Sequence, residues 1–206
     1  RAKTVTVHQL IEDGVIDEAT AEFLRDAIAD RKNVVVAGLP NSGRSTLANA
    51  LAYFIPDHER VLVIGDAAEV SLPHQNLLHV DKNQLFDAGE SFVELVPQLL
   101  ASRVIIDPVS ADDVGEFVGL ALGGFDGMIA TARASSGRQL LHRMALLLEL
   151  GMGASLGSRA QDMVSEAVDV VVTVDWGENG LLLTEVLEVS TGASSGIGVT
   201  EIFGRG

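Results

Sequence analysis

Five short apolar runs without in-and-out alternation constrain the fold of this chain more than any other feature. Val34-Val35-Val36-Ala37, Val61-Leu62-Val63-Ile64, Val104-Ile105-Ile106, Met128-Ile129-Ala130-Thr131 and Val170-Val171-Val172-Thr173-Val174 read as strands. A strand that is apolar at nearly every position is covered on both faces, as in a parallel sheet between two layers of helices. Helical patterns fill the gaps. Asp17 can cap a helix carrying Leu24, Ala27 and Ile28 on one face, and Ser135 or Ser136 can cap another carrying Leu140, Leu141, Met144, Leu147 and Leu148. Strands alternating with helices imply right-handed crossovers and therefore a three-layer α/β domain. Near the C-terminus two strand-like runs flank the turn Trp176-Gly177-Glu178-Asn179-Gly180. They predict an antiparallel hairpin at one edge of the mostly parallel sheet. Residues 1–190 thus read as one domain, with 1–30 a helical lead-in and the Gly- and Ser-rich 191–206 a flexible tail.

Composition narrows the function. Fourteen basic against twenty-nine acidic residues leave a net charge of −15. A surface that acidic repels nucleic acid and anionic membranes, so direct nucleic-acid binding is disfavoured. The absence of cysteine removes disulfides, thiol catalysis and cysteine–zinc sites. No apolar run reaches the ~18–20 residues that span a bilayer, so no transmembrane segment is expected. The five histidines have no metal-ligand spacing; His74 and His79 read as surface residues. The chain opens at Arg1 without a Met, as an excised domain would, and reads as cytoplasmic.

The segment Gly38-Leu39-Pro40-Asn41-Ser42-Gly43-Arg44-Ser45-Thr46 follows the first apolar strand and opens a helix. That is the setting of a phosphate loop, in which backbone N–H groups converge on phosphates at a helix N-terminus. Gly38 and Gly43 have the required spacing, and Ser45 sits where a hydroxyl would hold Mg²⁺. Asn41 stands where many such loops use Gly, and Asn tolerates positive φ. Arg44 occupies the lysine position; it keeps the charge, but its planar fork is bulkier than a compact ammonium. The blander alternative is an ordinary Gly-rich turn.

Two other strand ends matter, because α/β sites lie at the carboxyl ends of parallel strands. Asp107, after Val104-Ile105-Ile106, is placed to order Mg²⁺ through water, and Asp66 or Glu69 to orient an attacking water. The alternative is a strand end that merely meets solvent. Thr191-Gly192-Ala193-Ser194-Ser195-Gly196-Ile197-Gly198 looks like the nucleotide turn of short-chain dehydrogenases, but only eight residues follow it. Gly151-Met152-Gly153 follows a Leu-rich helix and reads as a helix stop.

Taken in order, these segments resemble the C-terminal ATPase domain of the secretion ATPases, a RecA-like phosphate-loop fold that powers type IV secretion, conjugal transfer and pilus machines. The likeness runs from residues 5–16 through Arg31-Lys32-Asn33-Val34, Ile55-Pro56-Asp57-His58-Glu59-Arg60 and the carboxylate box at 66–69. It continues in Phe125-Asp126-Gly127-Met128 and Ala167-Val168-Asp169-Val170. The conjugation and tight-adherence pilus branches are the most similar. The resemblance implies ATP or ADP with Mg²⁺ as cofactor and a hexameric ring. It also implies inner-membrane secretion or pilus proteins as partners.

The departures fall where hydrolysis would be done. The family's Gly-Lys-Thr is Gly43-Arg44-Ser45 here, and its Glu-Asp box is Gly65-Asp66 with Glu69 kept. Its Gly-Glu strand end is Asp107-Pro108, Arg133 replaces a histidine, and no arginine lies between residues 61 and 102. Losing one transition-state donor commonly costs ~10²–10³ in rate. The expectation is a degenerate motor domain that binds nucleotide with weak or no hydrolysis. The alternatives are an active hexameric ATPase and a nucleotide-free adaptor.

Overall fold

The computed structural model describes residues 5–65, 70, 72–82, 85, 91–153, 156–177, 180–192 and 196–204. An eight-stranded sheet runs through it. Its strands are β1 (Val34–Gly38), β2 (Val61–Gly65), β3 (Leu77–Val80), β4 (Arg103–Val109), β5 (Met128–Arg133), β6 (Val170–Gly177), β7 (Gly180–Thr191) and β8 (Ile197–Gly204), in the order β3-β2-β4-β5-β1-β6-β7-β8. The pairings from β3 to β6 are parallel, whereas β6–β7 and β7–β8 are antiparallel.

The described helices are α1 (Val7–Glu12), α2 (Glu18–Ala29), α3 (Arg44–Ala52), α4 (Phe92–Gln98), α5 (Val114–Leu122), α6 (Gly137–Met152) and α7 (Ser158–Ala167). Two caps are the expected ones. Asp17 accepts from the Thr20 amide at the start of α2, and Ser136 rather than Ser135 accepts from the Gln139 amide at the start of α6. Helix α6 stops at Gly153, whose φ of 61° any residue with a Cβ would resist.

The two faces of the sheet explain the unbroken apolar runs. Val34, Val36, Val61, Val63 and Val172 point into one core, with Leu24, Ile28, Leu47 and Leu51 from α2 and α3. Val35, Leu62, Ile64, Ile106 and Val171 point into the other, with Phe92, Phe117, Leu141 and Val164 from α4 to α7. Successive side chains thus serve opposite cores, and neither face can be polar.

Part of the stretch expected as a flexible tail is strand. Residues of β8 pair with β7 from Thr191↔Ile197 to Glu185↔Gly204, so the sheet continues past residue 190. β8 is an edge strand and half exposed, and Gly198, Thr200 and Glu201 break the apolar run that would have marked it as a strand. Among the described residues no helix is long and apolar enough to cross a membrane.

At the amino-terminal edge of the strands lies a buried ion network. Arg103, 1% exposed, donates through Nε and Nη2 to both oxygens of Glu59, at 2.7 and 2.9 Å, and through Nη1 to the Ile28 carbonyl. Arg31 donates to Glu59 at 2.7 Å. These bonds hold the Glu59 carboxyl below its ordinary range, Arg103 first among the causes. The network anchors the end of the sheet opposite the phosphate loop.

Candidate nucleotide site

β1 ends at Gly38, and the chain curls back before α3 begins. The Ser42 amide donates to the Leu39 carbonyl at 3.1 Å, and Asn41 (φ 64°) and Gly43 (φ 89°) are left-handed. This is the curled loop the sequence predicts, with Asn41 in the conformation its side chain tolerates. The amides of the first turn of α3 have no acceptor within the helix and point out of its N-terminus. The φ of Gly43 favours glycine, and a Cβ there would have to push aside the end of the Leu181 side chain. Gly38 is equally confined, since a Cβ would meet the Ser42 hydroxyl and lie 2.7 Å from the Val174 carbonyl oxygen.

The loop forms one wall of a cleft of about 720 Å³. Asn41, Ser42, Gly43, Arg44, Ser45 and Thr46 line that wall, and Gly65, Lys82, Asp107 and Pro108 line the other side. The structure therefore brings together the phosphate-loop residues and one of the three expected carboxylates. Asp66 and Glu69 lie outside the described residues. Asp107 is 5% exposed; its Oδ1 accepts from the buried Thr131 hydroxyl on β5, while its Oδ2 is buried with no hydrogen-bond partner. The Ser42 hydroxyl is likewise buried without a partner. Two orphaned oxygens at one cleft are costly unless something else satisfies them. A hard cation takes carboxylate and hydroxyl oxygens, and Asp107 with Ser45 across the same cleft fits such an ion.

Three residues of the cleft, Asp81, Lys82 and Trp176, were not anticipated from the sequence. Lys82 is the one Lys or Arg between residues 61 and 102, and that isolation was a usable signal. Its Nζ donates to the Pro108 carbonyl at 3.0 Å, the Ser110 hydroxyl at 3.3 Å and the buried Asp113 carboxylate, tying the segment after β3 to the loop after β4. Trp176, read only as part of a turn, lines the cleft beside the loop. Arg133 ends β5 and lines a neighbouring depression with Arg44 and Arg143; the Arg143 guanidinium donates to the Arg133 carbonyl at 3.0 Å.

A mostly parallel sheet with helices on both faces, and a curled Gly-rich loop at the N-terminus of the first crossover helix, defines a RecA-like phosphate-loop domain of the secretion-ATPase superfamily. Residues 3–146 match the profile of the family described as "Uncharacterised conserved protein UCP018868", and the chain belongs to that family. The type IV secretion system protein PtlH of Bordetella pertussis is 29% identical over 163 residues, 75% of this chain and 48% of the relative. The conjugal transfer protein TrbB of Rhizobium radiobacter is 24% identical over 192 residues, 91% of this chain and 58% of the relative. The chain thus spans about half the length of the curated relatives it matches. The crystal structure of the VirB11 ATPase from the Brucella suis type IV secretion system, in complex with sulphate, superposes with a TM-score of 0.72 at 27% identity, covering 91% of this chain and 57% of that one. The pilus retraction motor PilT with bound ADP shares the fold, with a TM-score of 0.66 at 16% identity over 94% of this chain and 55% of that one.

Proposed function

We propose that this chain is a nucleotide-binding domain of a secretion, conjugation or pilus machine, in which hydrolysis is weak or lost. The observation that carries this reading is the curled loop at residues 38–46, whose helix-terminal amides open onto a cleft lined by Ser45 and Asp107. The amides and Arg44 hold the phosphates by charge and hydrogen bonding. Ser45 and Asp107 are the residues that would hold Mg²⁺, which when bound neutralises phosphate charge. Lys82, through its bond to the Pro108 carbonyl, holds the end of β4 that carries Asp107. The relatives that work in type IV secretion and conjugal transfer support a role in such machinery. The chain would then act at the cytoplasmic face of the inner membrane through partner proteins, in a homo- or hetero-oligomeric ring.

Loss of turnover follows from substitutions of charge and geometry. Pro108 stands where a catalytic glutamate would follow Asp107, and a prolyl residue can neither accept a proton nor orient water. Phosphoryl transfer depends on positioning and charge stabilisation, so this site grips phosphate without a group to activate water at that strand end. The second reading, an active hexameric ATPase, draws on the cations and carboxylate that still line the cleft: Arg44, Lys82 and Asp107.

Calorimetric titration with ATP and Mg²⁺ tests the reading. Saturable heat in the wild type, strongly reduced in Arg44→Ala, is expected; no heat and no thermal shift would favour a nucleotide-free adaptor.

A further inference from the structure

Trp176 lines the phosphate cleft beside the loop. A second cleft of about 540 Å³ adjoins it, and Thr46 and Trp176 line both. That volume lies within the ~300–1,000 Å³ usual for small-molecule sites. Its walls are Leu10 from the lead-in helix, Val15, and Leu181 from β7, with Asp13 at the rim. Trp176 is 58% exposed, an unusual place for the largest apolar ring in the chain. A Cβ on Gly43 would lie 3.5 Å from Cε3 and Cζ3 of the indole, so the ring sits against the residue that caps α3.

We infer that Trp176 is the stacking platform for a nucleotide base that carries an exocyclic amine, and that the second cleft is the base and ribose subsite. This deepens the phosphate-loop reading and rests on it. A nucleotide whose phosphates lie on the loop amides must put its sugar and base in neighbouring space, and this cleft shares Thr46 and Trp176 with the phosphate cleft. An indole face exposed to solvent beside that space offers stacking to any base. The exposed Asp13 carboxylate supplies an acceptor for an exocyclic amine. Gly14 and Val15 donate their amides to Ile11 and Leu10 carbonyls, so the rim is biased towards a base that donates. With a net charge of −15, the ligand is a free nucleotide rather than a base of a polynucleotide.

Trp176 is the sole tryptophan, so intrinsic emission reports on this ring alone. The test titrates ATP and inorganic tripolyphosphate, each with Mg²⁺, into wild type, Trp176→Ala and Trp176→Phe, reading fluorescence and calorimetric heat together. ATP is expected to quench the emission strongly and tripolyphosphate hardly at all. Trp176→Ala weakens ATP about tenfold and leaves tripolyphosphate unchanged, and Trp176→Phe recovers most of the loss. ATP binding that leaves the emission unmoved and is as tight in Trp176→Ala overturns the base platform while the phosphate loop stands. Failure of both ligands to bind overturns the phosphate-loop reading, and the platform with it.

Discussion

Gly65 and Asp107 are register partners across β2 and β4, and they approach so closely that a Cβ on Gly65 would collide with the Asp107 carbonyl oxygen. The position where similar domains begin their carboxylate box is therefore closed to any side chain. Substituting Gly65→Glu does not rebuild an acidic pair here; it pushes apart the strand ends that carry the site. Overpacking of this kind costs about 1–3 kcal/mol. Thermal melts should show Gly65→Ala and Gly65→Glu both below wild type, and Gly65→Glu should gain no turnover. A Gly65→Glu variant of undiminished stability would show that the strand ends adapt.

In the proposed metal site, Asp107 trades stability for a ligand. Its Oδ2 is buried without a partner, and an unsatisfied buried carboxylate oxygen is destabilising by about 1–3 kcal/mol. Asp107→Asn removes the charge and can keep the Thr131 bond. Its melting temperature without ligand should equal or exceed that of wild type, while Mg²⁺ no longer strengthens ATP binding. A variant with Mg²⁺ dependence intact would remove Asp107 from the proposed metal site.

The Glu59 network sets an acid limit. Arg103 and Arg31 hold the Glu59 carboxyl below its ordinary range. The stabilisation is therefore complete above the unfolded value of about 4.3 and lost as pH falls through the lower folded value. Urea denaturation between neutral pH and pH ~3 should show this loss in wild type. Glu59→Gln leaves Arg103, whose side chain is 2% exposed, without its countercharge. That variant should be about 3 kcal/mol less stable at neutral pH, with a shallower decline in acid. An equal slope in both proteins would mean that other carboxylates carry the acid transition.

What the sequence discloses follows from where each signal is stored. β1, β2, β4, β5 and β6 are legible because residues such as Val34 and Val35 must satisfy cores on both faces. β3 and β8 are not: both are partly exposed, and edge strands carry no comparable run of apolar residues. The loop is legible because Gly38, Asn41 and Gly43 encode local backbone angles and close approaches. By contrast, the closeness of Gly65 to Asp107, the grip of Lys82 on Asp113 and the packing of Trp176 over Gly43 join residues far apart in the chain. No local pattern announces such pairs. The isolation of Lys82 among acidic and apolar neighbours came nearest to doing so.

The most direct test of the central claim measures ATP binding and ATP turnover on one preparation each of wild type, Arg44→Lys and Arg44→Ala. The account predicts saturable binding by wild type, weakened in Arg44→Ala, with phosphate release at background in all three, because restoring a lysine does not replace the acid missing at Pro108. Mg²⁺-dependent turnover by wild type that Arg44→Ala abolishes would contradict it.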